Sequence, residues 1–395
     1  MKVKRSKYVA YYIAEGLNPD LEGLFRGEIH LRHESKVIAA SALAEAETLL
    51  TLEEFCKLYS LSSYSWADVP LSEELIGWAK AGLLITELQE DWACAHRKRE
   101  EILDQELWHC RSAVYHFLTK WKGVQLFPPV SLDEKDPYIF AVRRMAEGVE
   151  AWRKLEPPPP PFWSHPDALD SFPLARPSTN ESSEFIATLL ARCSTRYFDR
   201  EAALQLGSIS TLLYFGFAPQ GTAKSVYTAV HKTSPSGGGL HPTEAYLLVR
   251  KVEGLQPGLY HYNSEHHSLE KLKSLSEEAA ARKTIEYAAG QPYILNSGAV
   301  IILATRFYRN HWKYRRNDRT YLVMAMDIGH LGQTLYLLCT YLKLGGFFTA
   351  AVNASDIERD LGLDGAQQSV MALFAVGARH PEARPEFVPF AAQEV

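Results

Sequence analysis

A chain of 395 residues, 46% hydrophobic and 23% charged, is longer than one ordinary domain and far too apolar to be disordered. Its net charge of −5 argues against non-specific binding to nucleic acid, and no run reads as the ~20 apolar residues of a membrane span. Five scattered cysteines, Cys56, Cys94, Cys110, Cys193 and Cys339, form no CxxC pair. They fit free thiols in a reducing cytoplasm better than a disulfide framework or a thiolate metal site.

At the N-terminus Lys2, Lys4, Arg5 and Lys7 precede Tyr8-Val9-Ala10-Tyr11-Tyr12-Ile13-Ala14-Glu15, which is too short and too polar for a secretory signal. Thr51-Leu52-Glu53-Glu54 predicts a helix opened by a capping box, in which hydroxyl and carboxylate satisfy orphan N–H groups reciprocally. Ser72-Glu73-Glu74 opens a second helix with Leu75, Ile76, Ala79 and Leu83 at helical spacing; Gly82 stops it, and Leu83-Leu84-Ile85-Thr86 reads as a wing strand. Residues 1–95 are therefore expected to form a small winged-helix-like module. Such a module reads extended peptides as often as DNA, and no basic recognition helix is visible; a helical support for a dimer is the alternative.

From Arg97 to Trp121, Ile102, Leu103, Leu107, Ala113, Val114, Phe117 and Leu118 predict one long amphipathic helix within a helical region, 96–155. His109 and His116 have no neighbouring carboxylate or thiol cluster and read as surface or structural histidines. Pro157 to Pro161, with Pro166, Pro173 and Pro177, offer neither helix nor ladder, so 156–183 is expected to be an extended linker.

Beyond it, Arg192-Cys193-Ser194-Thr195-Arg196 would, if extended, place Arg192, Ser194 and Arg196 on one face. Two guanidinium forks and a hydroxyl suit a phosphate, although a solvated basic turn has the same composition. Ser234-Pro235-Ser236-Gly237-Gly238-Gly239 then feeds the strand Thr243-Glu244-Ala245-Tyr246-Leu247-Leu248-Val249. Glycine without a Cβ lets peptide N–H groups approach a flat ring or an anion directly. The expected order is helix, helix, glycine loop, strand, hairpin, helix, strand, long helix, strand, helix, strand. The long helix, Asp327 to Leu344, carries Ile328, Leu331, Leu335, Leu338 and Leu342 on one face, with a semi-apolar second face around Tyr336, Leu337 and Tyr341.

In order and spacing these motifs resemble the SagB-type FMN-dependent dehydrogenases of ribosomal peptide maturation, a branch of the nitroreductase superfamily. The resemblance runs from about Glu184 to Arg379. It includes Arg-x-Ser-x-Arg, Pro-Ser-Gly-Gly-Gly, the hairpin from Gly254 to Tyr262, the pair Lys313-Tyr314 and Leu344-Gly345-Gly346-Phe347. It implies an α+β, nitroreductase-like FMN domain over 184–395, a central mixed sheet flanked by helices, behind an N-terminal leader-peptide recognition module. It implies a homodimer paired through the long helix, with the flavin at the interface. Arg192, Ser194 and Arg196 of one chain would hold the cofactor, and Pro235, Ser236, Gly237 and Gly238 of the other would pass beneath its ring. Gly345 and Gly346 would bring backbone N–H groups to its reactive side, and Arg379 would give a second phosphate contact. With no GxGxxG in the chain, a fixed second dinucleotide site is not expected.

The activity so implied is oxidation of a peptide azoline to an azole, with hydride transfer to FMN, molecular oxygen as acceptor and Lys313 as base. Tyr314 would orient it, provided that burial or the neighbouring Arg315 and Arg316 tune the lysine. A cyclodehydratase or another maturation enzyme is the expected partner, in a cytoplasmic setting without membrane or nucleic acid. Two alternatives stay open: an NAD(P)H-dependent flavin reductase of a dehydroamino acid, nitro or quinone substrate, and a non-catalytic peptide-binding scaffold.

Overall fold

The structure is a computed structural model that describes residues 1–19, 31–132, 136–144, 183–223 and 229–383. The proline-rich stretch read as a linker lies outside them except for Ser183. The chain divides into two compact units. One comprises Met1–Trp121, Thr305–Ala325 and Gly362–Ser369; the other comprises Lys122–Ala304, Met326–Leu361 and Val370–Val395.

In the first unit β1 (Lys2–Arg5) is the centre of a small antiparallel sheet, between β5 (Ala67–Asp68) and β6 (Leu84–Thr86). A second sheet follows directly in sequence, the meander β2 (Val9–Pro19), β3 (Leu31–Ser41) and β4 (Ala46–Leu50). Helix α1 (Leu52–Ser60) starts with the expected capping box, Thr51 Oγ1 accepting from Glu54 N–H and the Glu54 carboxylate accepting from Thr51 N–H. Helix α2 (Glu73–Lys80) is capped by Ser72. Gly82 follows at φ +68, where an added Cβ would lie 2.5 Å from Ser41 Oγ. Leu58, Trp78, Ala79, Leu83 and Leu84 pack with Val9, Val37, Ala39 and Leu50 into one core. Burial of such side chains is the main stabilising term here, about 1.5–3 kcal/mol each.

The helix expected over 97–121 is two helices, α3 (Asp91–Gln105) and α4 (Cys110–Thr119). The break falls at Leu107, which takes φ 56°, and turns Trp108 fully inward, its indole N–H donating to Ala366 O. Phe307, His311, His116, Phe117 and Tyr321 surround that indole. Burial of one large ring thus outweighs helical continuity.

The second unit is built on a six-stranded sheet formed by β9 (Thr243–Val249), β10 (Gly258–Asn263), β11 (Ser268–Ser274), β12 (Ala299–Arg306), β13 (Gly345–Thr349) and β14 (Gln368–Gly377). Their spatial order is β11-β10-β9-β12-β14-β13. Strands β9, β10 and β11 are antiparallel neighbours, and β13 pairs antiparallel with β14 at the far edge. Around it lie α5 (Glu184–Ala191), α6 (Leu206–Phe217), the short ribbon β7 (Gly221–Ala223) and β8 (Ala229–His231), and α7 (Glu277–Tyr287). Helix α8 (Phe307–Tyr314), in the first unit, precedes α9 (Arg319–Tyr341); α10 (Ala354–Leu361) joins β13 to β14. The expected order of elements is present, with the ribbon and α8 added.

Helix α9 starts eight residues before the expected position. By length and composition alone it could cross a membrane, which corrects the reading that no run does. Its Ile328, Leu331, Leu335 and Cys339 nevertheless pack into the sheet core beside Leu247, Ile301 and Phe374.

Candidate functional site

Both phosphate- and ring-binding candidates of the second unit are held by α9, on different flanks. The first group borders the outer edge of β13. Residues 192–197 are non-helical, with Thr195 buried between the half-buried Ser194 and Arg196. Thr195 N–H donates to Gly346 O at 2.8 Å. Tyr336 of α9 closes the group: its hydroxyl lies 3.0 Å from Ser194 Oγ and accepts from Phe348 N–H at 2.9 Å, while the Arg192 guanidinium stands 5.4 Å from its ring. Arg196 lies over Phe347 and Tyr293 instead. Since side chains alternate along a strand, Phe347 and Phe348 point to opposite faces, and the two arginines reach different sides of the β13 edge. Arg379 donates from Nε to Leu344 O at 3.1 Å.

Gly345 and Gly346 have internal reasons for lacking a side chain. A Cβ at Gly345 would meet Thr195 Cγ2 at 2.6 Å, and one at Gly346 would meet Phe374 Cζ at 2.6 Å. Gly346 O faces outward to Thr195, and in an antiparallel ladder the N–H of that residue points to the same edge. The edge therefore presents backbone dipoles beside Arg192, Arg196 and Arg379.

The second group is the glycine loop, a single 3-10 turn over Gly237–Gly239 in which Gly238 leaves helical geometry at φ 69°. Gly239 and His241 follow at φ 65° and 46°. Ser236 Oγ donates to Asp327 Oδ2 at 2.5 Å, and Gly237 N–H donates to Asp327 Oδ1 at 3.1 Å. The same Ser236 hydroxyl accepts from His241 N–H at 3.0 Å. Ser234 Oγ meets Thr334 Oγ1 at 2.6 Å, and His330 Nδ1 donates to Pro235 O at 3.2 Å. Burial pushes the Asp327 carboxyl above its usual range, while its bonds to Ser236 and Gly237 pull the other way.

The flanks can be read from the helix itself, at about 100° per residue. Asp327 and Thr334, seven residues apart, fall within about 20° of one another, whereas Asp327 and Tyr336 differ by about half a turn. The glycine loop and the arginine segment of one chain therefore sit on opposite sides of α9. Between them, away from the core, runs an apolar stripe containing Met326, Leu337 and Tyr341; Met326 is 54% exposed and Tyr341 58%.

The donor set suits a flavin mononucleotide: guanidinium groups and a hydroxyl for a phosphate, and a side-chain-free loop for a planar ring. Lys313 and Tyr314 belong to the first unit, at the end of α8, while every other candidate belongs to the second. Lys313 is exposed, so burial, one of the two influences expected to tune it, is absent, and its ammonium stands 5.6 Å from the Tyr314 ring. Arg316 does not turn to it. Its guanidinium donates to Asp104 Oδ1 at 2.7 Å, Tyr8 Oη at 3.1 Å and Trp108 O at 3.3 Å.

The nitroreductase family model matches residues 189–378, a span that holds the arginine segment, the glycine loop, Lys313-Tyr314 and Gly345-Gly346 and ends one residue before Arg379. This stretch is a nitroreductase-family domain. Among curated relatives, the trifolitoxin-processing protein TfxB of Rhizobium leguminosarum bv. trifolii is 33% identical over 180 residues, 44% of this chain and 47% of TfxB. MJ1384 of Methanocaldococcus jannaschii, described as a nitroreductase, is 34% identical over 130 residues, 33% of this chain and 63% of that protein. The chain thus spans less than two thirds of the length of the curated relatives it matches. Among solved structures it is similar to a chain of the E. coli microcin synthetase McbBCD complex with truncated pro-MccB17 bound, at 20% identity and TM-score 0.49, covering 71% of this chain and 94% of that one.

Within the nitroreductase domain, the sequence reading missed the two residues that tie the motifs to the fold, Asp327 and Tyr336. The signal for Asp327 is a lone carboxylate inside an otherwise largely apolar helix. Tyr336 looks like one more aromatic of a core helix, and only the bonds of its hydroxyl distinguish it.

Proposed function

We propose that the chain is an FMN-dependent oxidoreductase that modifies a ribosomally made peptide, oxidising azoline rings to azoles, and that it works as a homodimer with two flavin sites shared between chains. The observation that carries the shared site is the half-turn on α9 between the glycine loop and the arginine segment. Pairing two chains through the Met326–Tyr341 stripe about a two-fold axis parallel to α9 brings the loop flank of one toward the arginine flank of the other. Helix α5, whose Phe185, Ile186, Leu189 and Leu190 are exposed, adds apolar surface of the kind a permanent interface buries.

Bound flavin supplies the hydride-accepting chemistry. Arg192, Ser194 and Arg379 hold the phosphate, Arg196 reaches the opposite face of the β13 edge, and Pro235, Ser236, Gly237 and Gly238 of the partner chain support the ring. Gly346 supplies the backbone edge beside it, and Gly345, whose backbone groups face β14, lets Thr195 pack close. Lys313 takes the peptide Cα proton and Tyr314 orients the ammonium. Oxygen is the terminal acceptor. The peptide class is supported by the similarity to a trifolitoxin-processing protein. The N-terminal module is the place for a leader segment, along the short edge strand β5 flanked by the exposed Trp66 and Tyr64, where β-augmentation needs a free strand edge. A cyclodehydratase is the partner that supplies the azoline, and the reaction takes place in the cytoplasm.

The exposure of Lys313 favours a second reading, a flavin reductase fed by NAD(P)H that is indifferent to this lysine. The two are separated by incubating the flavin-loaded protein with an azoline peptide in air. Loss of two mass units that disappears in Lys313→Ala supports the oxidase. NAD(P)H consumption that is unchanged in Lys313→Ala, with no peptide oxidation, supports the reductase.

A further inference from the structure

The glycine loop does not hold itself. Three successive glycines give the unfolded loop more conformational freedom than any other residue type, and fixing them costs entropy. The geometry points to Asp327 as a positioning residue for the cofactor: its carboxylate fixes the Ser236–Gly238 backbone in one conformation before flavin arrives, so that no binding energy is lost in ordering the loop. This inference rests on the FMN reading above.

Four observations carry it. Asp327 is 4% exposed, and a buried carboxylate is costly unless it is hydrogen-bonded. Both of its oxygens accept from the loop, Oδ2 from the Ser236 hydroxyl and Oδ1 from Gly237 N–H. The Ser236 hydroxyl passes the constraint on, accepting from His241 N–H, so that one carboxylate controls both ends of the glycine run. His330 and Thr334, one and two turns along the same flank, fasten Pro235 and Ser234. Asp327 lines one small pocket together with Phe217, Leu331 and Pro242 and with the polar Lys232, His241 and Thr243, and its hydrogen bonds with Ser236 and Gly237 both go to the loop. What that carboxylate adds is the shape of the loop.

The test is FMN titration of the full chain, stripped of flavin, as wild type, Asp327→Asn, Ser236→Ala and the double variant, with thermal unfolding of each apoprotein and the visible-region circular dichroism of each at saturating FMN. Asparagine keeps the volume and one acceptor but loses the charge. The inference predicts an Asp327→Asn apoprotein that unfolds within a few degrees of wild type, an FMN affinity at least ~10-fold weaker, as expected for a lost charge-assisted hydrogen bond, and an altered flavin dichroism. The double variant should bind no worse than Asp327→Asn, because both changes break one connection. Affinity within twofold of wild type with unchanged dichroism would overturn it, and so would affinity losses that only track unfolding. A wild-type chain that takes up no FMN would sink the flavin reading itself, and this inference with it.

Discussion

Gly345, Gly346 and Tyr336 show how single residues tie the candidate site to the core. A methyl at Gly346 would press on Phe374 and Cys339, so Gly346→Ala should cost about 1–3 kcal/mol of stability by overpacking, read as a lower urea midpoint. The same change also crowds the β13 edge on which Thr195 rests. Tyr336→Phe removes two hydrogen bonds while keeping the ring under Arg192. It should cost about 1–2 kcal/mol and weaken FMN binding several-fold, measured by fluorescence quenching; wild-type affinity would show that the hydroxyl does not order the arginine segment. At this scale the sequence was most legible where chemistry needs a rare residue type: arginines around a serine, and glycines in a row. It was least legible for Asp327 and Tyr336, because the value of each lies in a partner far away in sequence, Ser236 and Ser194.

At the level of elements, the local signals that determine helix ends were readable and the long-range ones were not. The capping box at Thr51 and the Ser72 cap act within four residues, and both are present in the structure. The break between α3 and α4 depends on Trp108 finding a cage of rings from α4, α8 and the start of α9, which no window of sequence displays. The meander β2-β3-β4 was missed for the same reason, since its pairing is tertiary. That cage also has an expected pH dependence. His116 donates from Nε2 to Gly365 O and accepts at Nδ1 from Tyr321. Burial pulls it down to about 3, and pulls His311 down to about 4. Both are neutral in the fold, whereas in the unfolded chain they protonate near 6.5. The unfolded state therefore binds more protons below that value. Stability is complete above pH ~6.5 and falls by about 1.4 kcal/mol per pH unit for each histidine toward pH 4. Urea unfolding at pH 7, 6 and 5, followed by tryptophan fluorescence, should show this slope, and a flat midpoint would remove the buried-neutral assignment. Gly82→Ala, at φ +68 against Ser41 and Ala44, should destabilise the same unit by more than 1 kcal/mol.

For the molecule as a whole, the sequence motifs point to the nitroreductase superfamily, and the nitroreductase family model matches residues 189–378. The split of the site between two chains is what the resemblance implies, and the opposite flanks of α9 are the structural observation that supports it. The apolar stripe on that helix predicts association: Met326→Glu with Leu337→Glu should convert a dimer to a monomer in sedimentation velocity and release flavin, because a half site remains in each chain.

The most direct measurement is flavin content in a mixed dimer. A chain carrying Arg192→Ala and Arg196→Ala and a chain carrying Gly238→Val would each bind no FMN alone. Co-expressed with different tags and purified for both, they should form a dimer with one intact site and hold one FMN per two chains. A doubly tagged dimer devoid of flavin, or a variant that binds FMN fully by itself, would contradict a site built from the glycine loop of one chain and the arginines of the other.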